Sequence, residues 1–181
     1  LKLYGKHGKA VKQHVTELYS PPRVNSMIEI MGLIPGFSLD LSVSDPEDNQ
    51  PWHFNREDKR EKAENLVKSK AAALLIVSPM CAAFSRLQQL NFPRMDAMKV
   101  RKIIEYGTKQ LEWCMHLCKV QHEQGLYFLF EHPATASSWN NARVKEVMKL
   151  SGVERVVGNM CMFDMKQWGH DGAHMVKKST G

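Results

Sequence analysis

Two polar segments that follow apolar runs carry the side chains best suited to chemistry. Cys81 comes shortly after the run AAALLIVS (residues 71–78), and Glu131 comes directly after LYFLF (residues 126–130). A thiol becomes a nucleophile when it ionises, and a carboxyl group can donate or accept a proton. We therefore treat the ends of these two runs as the candidate site.

The elements that must position these groups follow an α/β pattern. Short apolar runs alternate with long amphipathic segments, which predicts a mostly parallel sheet flanked by helices. The predicted strands are residues 15–20, 37–42, 71–78, 126–130 and 154–160. The run at 71–78 is continuously apolar, so we expect it at the centre of the sheet. Ligands of open α/β sheets bind beyond the carboxyl ends of the strands, where Cys81 and Glu131 lie.

The helices are predicted over residues 23–31, 55–70, 96–124 and 138–150. The longest has Asp96 as its expected N-cap and Gly125 as its expected C-cap, and its length is that of a crossover helix. The acidic segment SVSDPEDNQP (residues 42–51) is predicted to be a surface loop.

The length of 181 residues suits one domain with its own core. We expect a basic N-terminal extension over residues 1–14, an α/β domain over residues 15–165, and a polar tail over residues 166–181 that is truncated. Since the chain begins with Leu1, it reads as a processed product or as a piece of a longer reading frame.

Composition excludes several classes of protein. Hydrophobic residues make up 43% and charged residues 24%, which is typical of a globular chain and not of a disordered one. No window approaches the roughly 18 apolar residues of a membrane span. The first residues lack a secretory signal, so we expect an intracellular protein, with nucleus and cytoplasm not distinguished. Four cysteines without a CxxC pair indicate free thiols in a reducing compartment.

Five motifs resemble those of cytosine-5 DNA methyltransferases. SPMCAAFS (residues 78–85) is similar to the family's loop in which a Pro-Cys pair precedes Phe-Ser, and FLFEHP (128–133) is similar to its next catalytic strand. ELYSPPR (17–23) and LDL (39–41) match its cofactor strands in order and spacing, and WHF (52–54) matches a segment near the adenine. The whole pattern is most similar to methyltransferase-like segments in polyproteins of copia-type retroelements.

This resemblance implies a Rossmann-like methyltransferase core that uses S-adenosylmethionine and acts on a base flipped out of DNA. Cys81 would be the nucleophile and Glu131 the acid. No metal site is implied. The residues implied to bind the cofactor are Tyr19, Ser20, Asp40, Phe54, Ser78 and Pro79.

The sequence departs from the family pattern at the turn after the first strand, where Pro21 and Pro22 replace a glycine-rich segment. Met80 stands where the family has proline, and His132 follows the acid. Few residues remain after Pro133 for a target-recognition region. Two hypotheses therefore stay open: a methyltransferase-like enzyme, or a non-catalytic module that serves as a structural or interaction subunit of a larger assembly.

Other residues that could bind metal or nucleic acid have simpler explanations. Cys114, Cys118 and His122 share one helix face with Leu111, which favours core packing over a metal site. Cys161 and the methionines of the last third are also expected in the core. A formal charge of +6 permits DNA binding through a basic surface, but acidic residues interleave with the basic ones, which is typical of a solvated face. The basic residues concerned are Lys2, Lys6, Lys9, Lys12, Lys59, Arg60, Lys62, Lys68, Lys70, Lys177 and Lys178.

Overall fold

The computed structural model describes residues 11–181. Most of the predicted basic extension, including Lys2, Lys6 and Lys9, therefore lies outside the described residues. Among those described, no helix combines the length and apolar character that crossing a bilayer requires.

A four-stranded, all-parallel sheet is the centre of the fold, with strand order β2-β1-β3-β4. Its strands are β1 (Val15–Leu18), β2 (Pro35–Leu39), β3 (Leu74–Val77) and β4 (Tyr127–Phe130). In register, Val15 lies beside Leu74 of β3, and Leu74 lies beside Tyr127 of β4. The predicted α/β class is confirmed, and the apolar run at 71–78 supplies an inner strand as expected.

The helices follow one another along the chain in the order that the sequence predicts. They are α1 (Asn25–Ile28), α2 (Glu57–Lys70), α3 (Arg86–Asn91), α4 (Ala97–Glu123) and α5 (Ala142–Met148). The caps predicted for α4 are confirmed, since the Asp96 carboxylate accepts from the Lys99 N–H at 2.9 Å. Gly125 adopts φ 71°, and its N–H donates to the His122 carbonyl at 2.9 Å. The short helix α3 was missed by the sequence pattern.

The described chain divides into two compact units. The first comprises residues up to Met80 together with Lys109–Phe130, and it holds all four parallel strands, α1 and α2. The second comprises Cys81–Thr108 and Glu131–Gly181, and it holds α3 and α5. The long helix α4 begins in the second unit and ends in the first.

The second unit also contains short antiparallel strands. β5 (Gly158–Asn159) pairs with β8 (Ser179–Thr180), and β6 (Lys166–Gly169) forms a hairpin with β7 (Gly172–Met175). The strand predicted at 154–160 is thus reduced to two residues, and the segment predicted to be a polar tail contains three strands. Cross-strand pairing is invisible to the sequence pattern because the segment has no apolar alternation.

The segment between β2 and α2 is more ordered than the predicted surface loop. Asp45 is 1% exposed and accepts from the Lys59 ammonium at 2.5 Å and from Lys62 at 2.6 Å. Burial alone would raise the pKa of the Asp45 carboxyl, but the hydrogen bonds from these two lysines lower it to about 2. The interpretation of Lys59 as solvated was therefore wrong: its side chain is buried, and it also binds Asp48 at 2.7 Å.

The core predicted for the last third of the chain is also wrong. Cys161 is half-buried, while Met162 and Phe163 are about three-quarters exposed. Met148, Met165 and Met175 are exposed as well. Met148 is the last residue of α5, Met165 directly precedes β6, and Met175 is the last residue of β7.

Candidate functional site

The turn after β1 has an unusual conformation at Tyr19. Its φ of 60° lies in the left-handed region that favours glycine, the residue that a tight strand-to-helix turn normally uses there. The Tyr19 N–H donates to the Leu39 carbonyl at 2.9 Å, and its hydroxyl donates to the Gln110 side-chain carbonyl. Gln110 in turn donates to the Asn55 side chain at 3.0 Å. The turn is therefore held by side chains and not by glycine.

Glu17 takes up the hydrogen-bond donors of this turn. Its carboxylate is 1% exposed and accepts from the N–H groups of Val24 at 3.1 Å and Asn25 at 2.8 Å. The hydroxyls of Ser20 and Ser38 donate to the same carboxylate at 3.2 Å each. Donors that would otherwise be available to an anionic ligand are therefore bound within the protein.

Phe54, implied to lie near an adenine, is instead packed within an aromatic cluster. Its ring centroid is 4.8 Å from that of Tyr19 and 4.8 Å from that of Trp113. Trp52 lies 6.5 Å away on the same cluster. With only 4% of its surface exposed, Phe54 offers no stacking face to a ligand in this conformation.

Asp40 is the acidic residue among the six implied cofactor positions, and its side chain remains partly accessible to solvent. It follows β2 directly and is half-buried, and its Oδ1 accepts from the Ser42 N–H at 3.0 Å and hydroxyl at 2.8 Å. Ser78 is also half-buried at the end of β3, and the neighbouring Pro79 is buried. Asp40 could accept a hydrogen bond from a ribose hydroxyl at its other oxygen.

These residues fit S-adenosylmethionine only in part. The ribose end of the cofactor has a suitable acceptor in Asp40, as in other nucleotide-binding α/β folds. The turn after β1 does not fit the cofactor's carboxylate, because Glu17 already occupies the backbone donors and Pro21 and Pro22 supply none. No donor set for the whole cofactor is present in the first unit as described.

Cys81 lies in the second unit, half-buried, immediately before a 3-10 turn at Ala82–Phe84. The α-helix begins only at Arg86, and its first turn is capped by Ser85, whose hydroxyl accepts from the Gln88 N–H at 3.1 Å. No α-helix therefore starts directly after Cys81. A three-residue 3-10 turn carries little of the dipole that a longer helix would direct at the thiol.

A glycine of α4 allows the turn after Cys81 to pack closely. A Cβ atom built on Gly107 would lie 2.4 Å from the Ala83 Cβ, closer than real Cβ contacts occur. Gly107 is buried, and so are Ala83 and Phe84. The absence of a side chain at this point of α4 thus fixes where the Cys81 turn lies within its unit.

Glu131 directly follows β4 and is bound by the C-terminal strand of its unit. The Thr180 hydroxyl donates to Oε1 of Glu131, and the Lys178 ammonium lies 4.0 Å from the same oxygen. The Glu131 side chain keeps 30% of its surface exposed. The carboxylate is therefore engaged but still accessible to solvent.

His132 connects the Glu131 segment to the Cys81 turn. Its ring is 1% exposed, lies 5.9 Å from the Phe84 ring between centroids, and its Nδ1 is 2.7 Å from the Ser138 hydroxyl. The Ser137 hydroxyl also reaches the Phe84 carbonyl at 3.4 Å. The segments that carry the candidate thiol and the candidate acid thus pack together within one unit.

The other cysteines carry no site. Cys114 and Cys118 are fully buried in α4, as predicted, and burial raises the pKa of both thiols well above the ordinary value. Within residues 11–181, no group of three or more His, Cys, Asp or Glu side chains is arranged to hold a metal ion.

The fold is that of an α/β protein with a Rossmann-like parallel sheet. No protein-family model matches the chain, and a search of curated proteins finds no match.

Sequence reasoning missed the residues that surround the candidate acid. Lys178 and Thr180 lie just before and within β8, and no apolar alternation in the sequence marks that strand. In the sequence, His132 is notable only as a departure from a family motif. Glu17 stood within a quoted motif, but nothing in the sequence indicated that its carboxylate folds back onto the following turn.

Proposed function

We propose that this chain is a cytosine-5 DNA methyltransferase-like domain that addresses a cytosine base with Cys81 and Glu131. The observation that supports this most is the packing of Phe84 against His132, which joins the Cys81 turn to the Glu131 segment in one compact unit. The parallel α/β sheet, with candidate residues after β1, β2, β3 and β4, is the architecture that such chemistry uses.

In this proposal the Cys81 thiolate adds to carbon 6 of the pyrimidine ring. Glu131 would hydrogen-bond the ring nitrogen and so favour the electron flow that makes carbon 5 nucleophilic. Loss of the proton from carbon 5 to solvent, together with cleavage of the bond between carbon 6 and the Cys81 sulfur, would then restore the aromatic ring and free the thiol. S-adenosylmethionine, when bound, would supply the methyl group. The base must leave a duplex, or come from a single strand, to reach these groups.

A second candidate function is a non-catalytic module that keeps the same fold as a subunit of a larger assembly. The observation that favours it is Glu17, whose carboxylate takes the donors of Val24 and Asn25. A domain that no longer binds the cofactor would lose nothing by filling that turn with its own side chain.

The two candidates differ in what the purified chain binds covalently. We would incubate it with single-stranded DNA that carries a mechanism-based cytosine analogue and detect an adduct by mass spectrometry, with S-adenosylhomocysteine binding measured by calorimetry. Cys81→Ala removes the proposed nucleophile. Cys161→Ala is the matched control, since Cys161 is also half-buried and lies in the same unit.

The enzyme proposal expects an adduct on the peptide containing Cys81, its loss in Cys81→Ala and its retention in Cys161→Ala. If the folded wild-type chain forms no adduct and calorimetry detects no binding of S-adenosylhomocysteine, the enzyme proposal is overturned and the non-catalytic module is favoured. If an adduct forms but calorimetry detects no binding of S-adenosylhomocysteine, the result supports attack of Cys81 on the pyrimidine. It rejects use of the cofactor by this chain alone.

A further inference from the structure

The segment just before and within β8 meets Glu131 with two side chains. Lys178 directly precedes β8, Thr180 lies within it, and both side chains approach Glu131. Both reach the same atom, Oε1 of Glu131, one as an ammonium 4.0 Å away and the other as a hydroxyl donor. The Thr180 hydroxyl also lies 3.1 Å from the His132 carbonyl, but a carboxylate is the stronger acceptor.

Backbone pairing holds this segment in place on two sides. The His132 N–H donates to the Gly181 carbonyl at 3.1 Å, and the Gly181 N–H donates back to the His132 carbonyl at 3.0 Å. On the other side, the Met160 N–H donates to the Lys178 carbonyl at 2.8 Å. These backbone hydrogen bonds hold Thr180 in place before it binds Glu131. Less conformational entropy is therefore lost when its hydroxyl holds the carboxylate.

The two oxygens of Glu131 are consequently unequal. Oε1 is bound by Thr180 and faces Lys178, whereas Oε2 accepts no hydrogen bond from any residue in the described range 11–181. The side chain is nevertheless only 30% exposed. A carboxyl group held at one oxygen presents the other in a restricted set of directions, which is the requirement for positioning a ligand.

We propose that Thr180 is a positioning residue for Glu131: with Lys178 it fixes Oε1 and leaves Oε2 to hydrogen-bond a cytosine base. This inference rests on the proposed function for the identity of the base, but the positioning itself does not depend on methyl transfer. It assigns a role to the C-terminal strand, which none of the motifs in the sequence had suggested.

The test compares Thr180→Val, which removes the hydroxyl and keeps the shape, with Thr180→Ser, which retains the hydroxyl. Ser179→Ala is the matched control, because the Ser179 hydroxyl binds Asn159 at 2.5 Å and not Glu131. Urea unfolding establishes that each variant is folded. Two readouts follow: the rate at which a carbodiimide and an amine label Glu131, resolved by mass spectrometry, and the affinity for a single-stranded oligonucleotide containing one cytosine or, instead, one thymine.

Thr180→Val is expected to label Glu131 several-fold faster and to bind the cytosine oligonucleotide about fivefold more weakly, the effect of one hydrogen bond. Binding of the thymine oligonucleotide should not change. Thr180→Ser and Ser179→Ala should match the wild type in both readouts. If β8 had only a structural role, removing the Thr180 hydroxyl in Thr180→Val would change neither readout.

The two proposals fail separately. Unchanged Glu131 labelling in folded Thr180→Val overturns the positioning role, whatever the oligonucleotides do. Faster labelling in that variant, together with no preference of the wild type for cytosine over thymine, supports the positioning role and overturns the assignment of cytosine as the base.

Discussion

At the scale of single residues, the four cysteines divide into two classes by burial. Cys81 and Cys161 are half-buried, whereas Cys114 and Cys118 are inaccessible in α4 with pKa values raised by burial. Reactivity of a thiol follows its accessible thiolate. The structure thus separates two half-buried thiols, one of them the candidate nucleophile, from two buried thiols that act only as small apolar groups.

We predict that a thiol reagent at neutral pH modifies Cys81 and Cys161 in the folded chain, while Cys114 and Cys118 react only after unfolding. Protection by the fold should slow the buried pair by on the order of 100-fold or more. Spectrophotometric thiol counting, with peptide mapping, measures this. The Cys81→Ser variant should lose one fast thiol, and equal fast reaction of all four in the folded chain would contradict the assignment.

The part of the site that the sequence predicted is the part encoded by local pattern. Apolar runs locate β3 and β4, so the positions of Cys81 and Glu131 just beyond their ends could be predicted. Thr180 and Lys178 could not, because their contact with Glu131 depends on pairing between segments far apart in the chain. The burial of Lys59 was missed for the same reason, since its partner Asp45 lies in a segment that local composition marks as exposed.

At the scale of elements, the contact between α4 and the turn after Cys81 depends on a missing side chain. Gly107 lies inside a 27-residue helix, where glycine ordinarily weakens the element relative to alanine. Its place against Ala83 gives the reason for its presence. Helix propensity and tertiary packing therefore favour different residues at this position.

We predict that Gly107→Ala lowers the free energy of unfolding by about 1–3 kcal/mol, because the new methyl group overpacks against Ala83. In a helix position without this contact, the same change would stabilise the protein by up to about 1 kcal/mol. Urea unfolding followed by tryptophan fluorescence measures the difference.

The double variant Gly107→Ala with Ala83→Gly removes the opposing methyl group and provides the control. It should recover most of the lost stability, since the steric conflict is relieved from the other side. A stabilised Gly107→Ala single variant would contradict the close approach of the Cys81 turn to α4.

At the scale of the whole molecule, the net charge is +6, yet one buried acid, Asp45, affects how the free energy of unfolding changes at low pH. Asp45 has a pKa of about 2 when folded, against an ordinary value of 3.8. Because the folded state holds the carboxylate ionised, its contribution to stability is complete above about pH 4. It is lost as the pH falls through that range towards 2, when the proton is taken up.

We predict that the free energy of unfolding falls between pH 4 and pH 2, and that Asp45→Asn is less stable at neutral pH by about 3 kcal/mol, because Lys59 remains buried with less compensation. The variant should also show a shallower loss over the acid range. Urea unfolding at a series of pH values tests both. Asp171→Asn is the control, since Asp171 is highly exposed and should leave both the stability and its acid dependence near those of the wild type.

The left-handed conformation of Tyr19 has a consequence for the order in which the chain folds. A non-glycine residue at φ 60° costs roughly 1–2 kcal/mol, so the turn after β1 is not favoured by its own local sequence. It is stabilised by Gln110, 91 positions away along the chain, and by the ring of Trp113 on the same helix. Such a non-local contact forms only after a long loop has closed. We therefore predict that this turn becomes ordered late in folding, after the C-terminal half of α4 has reached β1.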